Sequence, residues 1–108
     1  MKATTDEHYI IAGRESIAET QDLRVTLMEL APGEATPWHR HTVVVDTTFV
    51  LLGEVEVQAT APKETIHLGP GRPCRIQPSR PHRVVNAARW PSRYLLVQGI
   101  GAYDFINV

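Results

Sequence analysis

The sequence of 108 residues has one cysteine, Cys74, so no disulfide can form within the chain. A fold that does without disulfides fits a reducing compartment, and a cytoplasmic location is the expectation. Long apolar runs are also missing. The longest, Phe49 to Leu52 and Tyr94 to Val97, fall far short of the ~20 residues that a membrane-spanning helix needs. Residues Met1 to Glu7 carry no apolar stretch behind Lys2, which speaks against a signal peptide in the chain as it stands. The formal net charge is −1, without the basic excess of a nucleic-acid binder. Neither nucleic acid nor membrane is therefore expected as a partner. No G-x-S-x-G elbow, P-loop or dinucleotide fingerprint occurs, so the common nucleophile and nucleotide signatures are absent.

Hydrophobic residues make up 43% of the chain and charged residues 21%, a globular balance in a length that suits a single domain spanning 1–108. The charge is uneven. Residues 1–64 hold eleven acids and five bases, whereas 65–108 hold one acid, Asp104, and six arginines. Interleaved strands from the two halves would average that field out. Eight prolines and seven glycines punctuate short runs rich in Val, Ile, Leu and Thr. Strands are expected at Leu23–Ala31, within Pro37–Val45, and at Asp46–Leu52, Val55–Thr60, Thr65–Leu68, Cys74–Gln77, His82–Ala87, Arg93–Gly99 and Tyr103–Asn107. Gly53-Glu54 makes the tight turn of a hairpin whose second strand alternates Val55, Val57 and Ala59 with Glu56, Gln58 and Thr60. Residues 14–21 are expected to form at most one turn of helix. Many short strands separated by turn residues indicate an all-β sandwich or barrel.

Of the five histidines, His39 and His41 lie two residues apart, so on an extended strand both imidazoles face the same way. Asp46 follows, and strand parity turns it to the opposite face unless the chain bends between Thr42 and Val45. His82 opens a later strand behind Pro81. Three imidazoles and a carboxylate suit Mn, Fe, Ni, Cu or Zn and do not suit Ca or Mg. Two histidines and a carboxylate would also make the facial set of non-haem iron oxygenases. Against this stands the ordinary reading of a strand histidine as a packed or surface residue, since an H-x-H pair alone is a weak signal. His8 and His67 match no pattern and are read as non-ligands. Cys74, beside Pro73, reads as a buried, inert thiol.

The spacing resembles the cupin family. Gly33, His39, His41, Asp46 and Gly53 follow its first motif (residues 33–53), with aspartate in place of glutamate. Gly71, Gln77, Ser79, His82 and Asn86 follow its second motif (residues 71–86), with departures at Gln77 and Ser79. The resemblance implies an all-β double-stranded β-helix, or jelly roll, with His39, His41, Asp46 and His82 at four metal-ligand positions and one divalent transition metal per chain. Asp46, one methylene shorter than glutamate, either reaches the metal through a backbone shift or stays outside it and orients a ligand histidine. Ser79 in place of glycine requires the turn before His82 to avoid a conformation that only glycine tolerates.

Thr48, Val50 and Leu52 share the face of Asp46, and Val55, Val57 and Ala59 are expected to point inward, so the surroundings of the site read as largely apolar. Trp38 is expected to face away from His39 and to pack. Thr48, Tyr94 and Gln98 are candidates for contact with a small-molecule substrate. For the late strand, either Tyr94, Leu96 and Gln98 or Arg93, Leu95 and Val97 face inward. Two functions remain open. One is a metal-dependent enzyme, a dioxygenase, other oxidoreductase or isomerase, with Asp46 as ligand or catalytic base. The other is a non-catalytic module that binds or senses a small ligand around a structural metal. A homodimer is expected for either, because a small barrel leaves sheet edges bare. Tyr9–Ala12 is a candidate for strand exchange between copies.

Overall fold

The computed structural model describes residues 4–5 and 9–108. His8 lies outside them. Among the described residues there are twelve strands and no helix: β1 (Thr4–Thr5), β2 (Ile10–Ile11), β3 (Gly13–Glu19), β4 (Leu23–Leu30), β5 (His39–Arg40), β6 (Val45–Leu52), β7 (Val55–Ala59), β8 (Glu64–Leu68), β9 (Pro73–Ile76), β10 (His82–Val85), β11 (Ser92–Gly99) and β12 (Ile106–Asn107). Two antiparallel five-stranded sheets, ordered β12-β5-β10-β7-β8 and β3-β4-β11-β6-β9, make a double-stranded β-helix. Among the described residues no helix is long and apolar enough to cross a membrane. Within the Tyr9–Ala12 segment, β2 pairs with β1 of its own chain.

Period-two alternation forms these sheets. Val55, Val57 and Ala59 are buried while Glu56 and Gln58 stay half-exposed, and Tyr94, Leu96 and Gln98 are buried while Arg93 faces water. Along β11 the inward face grades from Tyr94 through Leu96 to the amide of Gln98. The apolar core, including Ile11, Met28, Leu30, Val50, Val57, Leu68 and Tyr94, fills one end of the barrel. Buried polar groups, including His39, His41, Asp46, His82 and Gln98, gather at the other. The charge halves interleave as expected at Arg80–Glu64 (3.0 Å) and Arg93–Glu29 (2.8 Å).

Three expectations need correction. Residues 14–21 are not helical. Most of the segment is edge strand β3, paired with β4 from Gly13↔Glu29 to Glu19↔Arg24. Its polar, alternation-poor sequence carries no strand signal of its own, so the pairing comes from β4. A bulge between Ser16 and Ala18 leaves Ile17 outside the ladder. Leu52 does not share the interior face of Asp46. Tyr94 pairs with Val50 and Arg93 with Leu52, so Leu51 is an extra residue, and the bulge turns Leu52 out to 56% exposure. Ser79 does not avoid the left-handed region but sits in it at φ 68°. Its N–H donates to the His41 carbonyl at 2.6 Å, which ties the turn before His82 to the first histidine pair.

The β6–β7 hairpin turn shows a position where glycine is required. Gly53 has φ +75°, and a Cβ there would lie 2.7 Å from Ser92 Oγ and 3.0 Å from the Pro91 carbonyl. That Ser92 hydroxyl donates to Glu54 O at 2.7 Å and accepts from Glu54 N at 3.2 Å, so it cannot move away freely. Gly53→Ala is expected to cost about 2 kcal/mol or more in urea unfolding, through backbone strain and overlap together. A change below about 0.5 kcal/mol, the range of ordinary surface substitutions, would contradict this account.

Candidate metal centre

Both sheets and one bend build the cluster. His39 on β5 and His82 on β10 are direct cross-strand partners. Asp46 projects from β6 of the facing sheet. The chain bends at Thr42 and Val43, and this bend lets Asp46 and His41 meet despite their odd spacing. All four residues are buried, and one donor atom from each lies within 4.8 Å of the others. That span is close to the width of a first coordination shell with bonds of roughly 2.1 Å.

Each imidazole is oriented by the backbone. His39 Nδ1 lies 2.7 Å from Pro37 O, His41 Nδ1 lies 2.6 Å from Asp104 O, and His82 Nδ1 lies 2.9 Å from Arg80 O. A carbonyl can only accept, so each Nδ1 carries the proton and each Nε2 is the nitrogen left for the centre. Asp46 meets those Nε2 faces. Its Oδ2 is 2.9 Å from His41 Nε2 and 3.1 Å from His82 Nε2. A carboxylate that merely oriented a ligand histidine would sit on Nδ1, and all three of those positions are taken by carbonyls. Gln98 Nε2 adds a longer contact to the same oxygen at 3.5 Å.

Protonation follows from these contacts. Burial opposes the charge on Asp46, but hydrogen bonds from His41 and His82 outweigh it and hold the carboxyl well below its ordinary range. Burial also opposes protonation of His41, yet the Asp46 and Asp104 contacts raise its pKa above the ordinary value. Both ring nitrogens of His41 then have acceptors. His39 has no such carboxylate contact, and burial together with the neighbouring His82 lowers its pKa to about 4.

The pocket over the cluster has a void of about 440 Å³ counted out to its open mouth, and its enclosed part is narrow. Tyr94 and Gln98 line it, so of the two faces that the sequence left open, the Tyr94, Leu96 and Gln98 face is the inward one. Thr48 is buried but is not among the lining residues. The Tyr94 hydroxyl is fully shielded and has no hydrogen-bond partner, a state that costs roughly 1–3 kcal/mol unless a water or ligand meets it. Trp38 is half-buried beneath the Arg83 guanidinium at 5.1 Å. Cys74 is buried and its pKa raised by burial, which makes it a poor nucleophile. His67 is exposed and stands apart.

The sequence reading missed the C-terminal strap and two arginines. Phe105 stacks on His39 at 4.5 Å, Tyr103 lies 5.4 Å from His41, and the Asp104 carboxylate holds Thr42 through its N–H and hydroxyl. Nothing local in the sequence marks these contacts, which join residues some sixty positions apart. Arg14 and Arg24 also line the pocket. Arg24 was within reach of parity, because it shares a face with Thr26, Met28 and Leu30 on β4.

The His39 shift has a defined sign. A lowered folded pKa means that the unfolded chain takes up the proton first, so stability falls as pH drops from 6.5 toward 4. The contribution of His41 is complete below 6.5 and is lost as pH rises through its folded value, and that of Asp46 is lost only below its ordinary range. Metal-free protein is therefore expected to lose about 3 kcal/mol through His39 across that window. Thermal melts should show a flatter pH profile for His39→Gln, and identical profiles would contradict the assignment.

The profile of the cupin domain family matches residues 26–98. No curated protein matches the chain in sequence. Among solved structures, a conserved protein with a double-stranded β-helix domain from Klebsiella pneumoniae is 27% identical, with a TM-score of 0.77 over 88% of this chain and 82% of that one. The TT1209 protein of Thermus thermophilus is 26% identical, with a TM-score of 0.75 over 82% and 83%. KdgF from Halomonas is 22% identical, with a TM-score of 0.70 over 81% and 78%, a likeness of fold alone. Two sheets in jelly-roll order, two histidine motifs and a match across the barrel agree: this chain belongs to the cupin family.

Proposed function

We propose that this cupin is a metal-dependent enzyme acting on a small organic molecule, with one divalent transition metal per chain held by His39, His41 and His82 and with Asp46 as fourth donor. The observation that carries the reading is the set of three Nδ1–H bonds to backbone carbonyls, which commits three Nε2 atoms and one carboxylate to a single buried point. The donor set favours Mn, Fe, Ni, Cu or Zn. A bound metal would supply Lewis acidity toward a substrate oxygen, and a redox-active one would also support oxidation or oxygen-dependent cleavage. The chain supplies the rest. Gln98 holds the Asp46 carboxylate, and Phe105 and Tyr103 shield the imidazoles and fix their planes. Isomerisation is the alternative chemistry for a redox-inert metal. A non-catalytic ligand-binding role draws on one observation, that Asp46 is the only carboxylate in the pocket lining among the described residues.

The outward face of the β3-β4-β11-β6-β9 sheet supports a homodimer. Leu95 pairs laterally with Leu27 and Phe49, and Val97 with Val25, which forms a continuous apolar strip. Phe49 in that strip is 37% exposed. A second copy laid on this face would remove the strip from water.

Elemental mass spectrometry of tag-free protein is expected to find close to one transition metal per chain, with several-fold less in His41→Ala. Failure of both proteins to hold any of the five metals after reconstitution would sink the reading. In sedimentation, the wild type is expected at twice the chain mass and Leu95→Glu at the chain mass. A monomeric wild type would remove the dimer.

A further inference from the structure

Opposite the histidines, the pocket wall is cationic. Three adjacent strands set Asp46, Gln98 and Arg24 in one lateral row, because Gln98 pairs with Asp46 on one side and with Arg24 on the other. Neighbouring strands lie about 4.8 Å apart, so the Arg24 backbone stands roughly 10 Å from that of Asp46 with Gln98 between them, and all three residues line the same cavity. The guanidinium carbon of Arg24 lies 3.8 Å from the centre of the Tyr103 ring, which steadies it at the pocket wall. Its Nε is shielded and has no hydrogen-bond partner among the described residues. Among the described residues the acid paired with it, Glu19, stands 4.0 Å away with its own side chain 59% exposed, too wet to neutralise the arginine firmly. Arg14 lines the same pocket from β3. Arg24 thus faces a cavity whose only carboxylate among the described residues, Asp46, already meets histidines, and a divalent metal would add to the positive charge. Tyr94 supplies a second, independent sign of a ligand: its residue is wholly buried, and its hydroxyl, in the same pocket, has no partner.

Resting on the metal-centre reading, we propose that the molecule taken by this pocket is a small organic acid. Its carboxylate is held by the Arg24 guanidinium, its polar body meets the Tyr94 hydroxyl, and one of its oxygens faces the His39, His41, Asp46 and His82 cluster. Arg24 is then the residue that selects an acid over its neutral analogue, because an arginine fork pairs with a carboxylate through charge-assisted bonds that an amide cannot match.

The test is calorimetric titration of metal-loaded protein with glycolate, lactate, pyruvate and succinate, with lactamide as the neutral control. Metal content is measured on every sample. At least one acid is expected to bind, and lactamide is not. Arg24→Gln should weaken the bound acid by about tenfold or more, and Tyr94→Phe by about threefold to tenfold, as loss of a charged and of a neutral hydrogen bond implies. Arg24→Lys should recover part of the loss, which separates an anchor from a merely structural arginine. Metal content should stay at the wild-type value throughout. Wild-type protein that loads metal yet binds none of the four acids overturns the proposal, as does acid binding indifferent to Arg24→Gln. Failure to load metal overturns the metal-centre reading instead, and acid binding that still depends on Arg24 would then leave the anchor standing.

Discussion

The structure turns on a small set of bonds from imidazole to backbone. Three Nδ1–H groups donate to the carbonyls of Pro37, Asp104 and Arg80, and each bond does two things. It satisfies a polar group in a buried place, and it fixes which nitrogen faces the centre. Two of the carbonyls lie two residues before the histidine they orient, so a local turn suffices. The third comes from Asp104, sixty-three positions from His41. The geometry of the histidine cluster therefore depends on the C-terminal strap, whose β12 also pairs with His39. The turn carrying Ser79 is held in the same way by the His41 carbonyl. Motif residues far apart in sequence become one rigid unit through main-chain atoms.

A barrel with a polar cluster at one end has to fold around its own buried charge. The apolar end supplies the drive, through Tyr94, Met28, Leu30 and Val57. Asn86, wholly buried, joins the two ends of the motif region. Its side-chain amide donates to the carbonyls of Leu30 and Trp90, and its backbone exchanges bonds with Gly33 and Glu34. That explains an asparagine at the close of the second motif without any role in chemistry. The buried Asp46 carboxylate at the polar end is met locally by His41 and His82.

The strands and the four clustered residues were legible because their signals are local. Alternation marks β4, β7 and β11, turn residues mark their ends, and the two-residue spacing of His39 and His41 puts both on one side. Other features depend on partners that sequence does not display. Edge strand β3 takes its form from β4. Leu52 is turned outward by a bulge that arises from the register against Arg93 and Tyr94. Ser79 enters the left-handed region because a carbonyl holds it there, at a cost of roughly 1–2 kcal/mol that the residue type alone would argue against. The pocket arginines were overlooked since charged residues are normally assigned to wet faces. Parity on β4 places Arg24 inward all the same.

The aspartate that replaces the family's glutamate gains meaning from this geometry. Its backbone lies on β6, in direct register with Gln98, and the short side chain reaches the Nε2 atoms of His41 and His82 with no turn to spare. The Asp46 contact raises the pKa of His41, which favours a proton on the same Nε2 that a metal would take. A metal held there would compete with that proton, so its binding would weaken as protons become abundant. The lowered pKa of His39 works the other way, keeping one Nε2 lone pair open down to about pH 4. His39 would thus offer a metal a free lone pair over a wider pH range than His41, whose Nε2 faces the Asp46 carboxylate. This division follows from one difference in contact: His41 touches Asp46, and His39 does not.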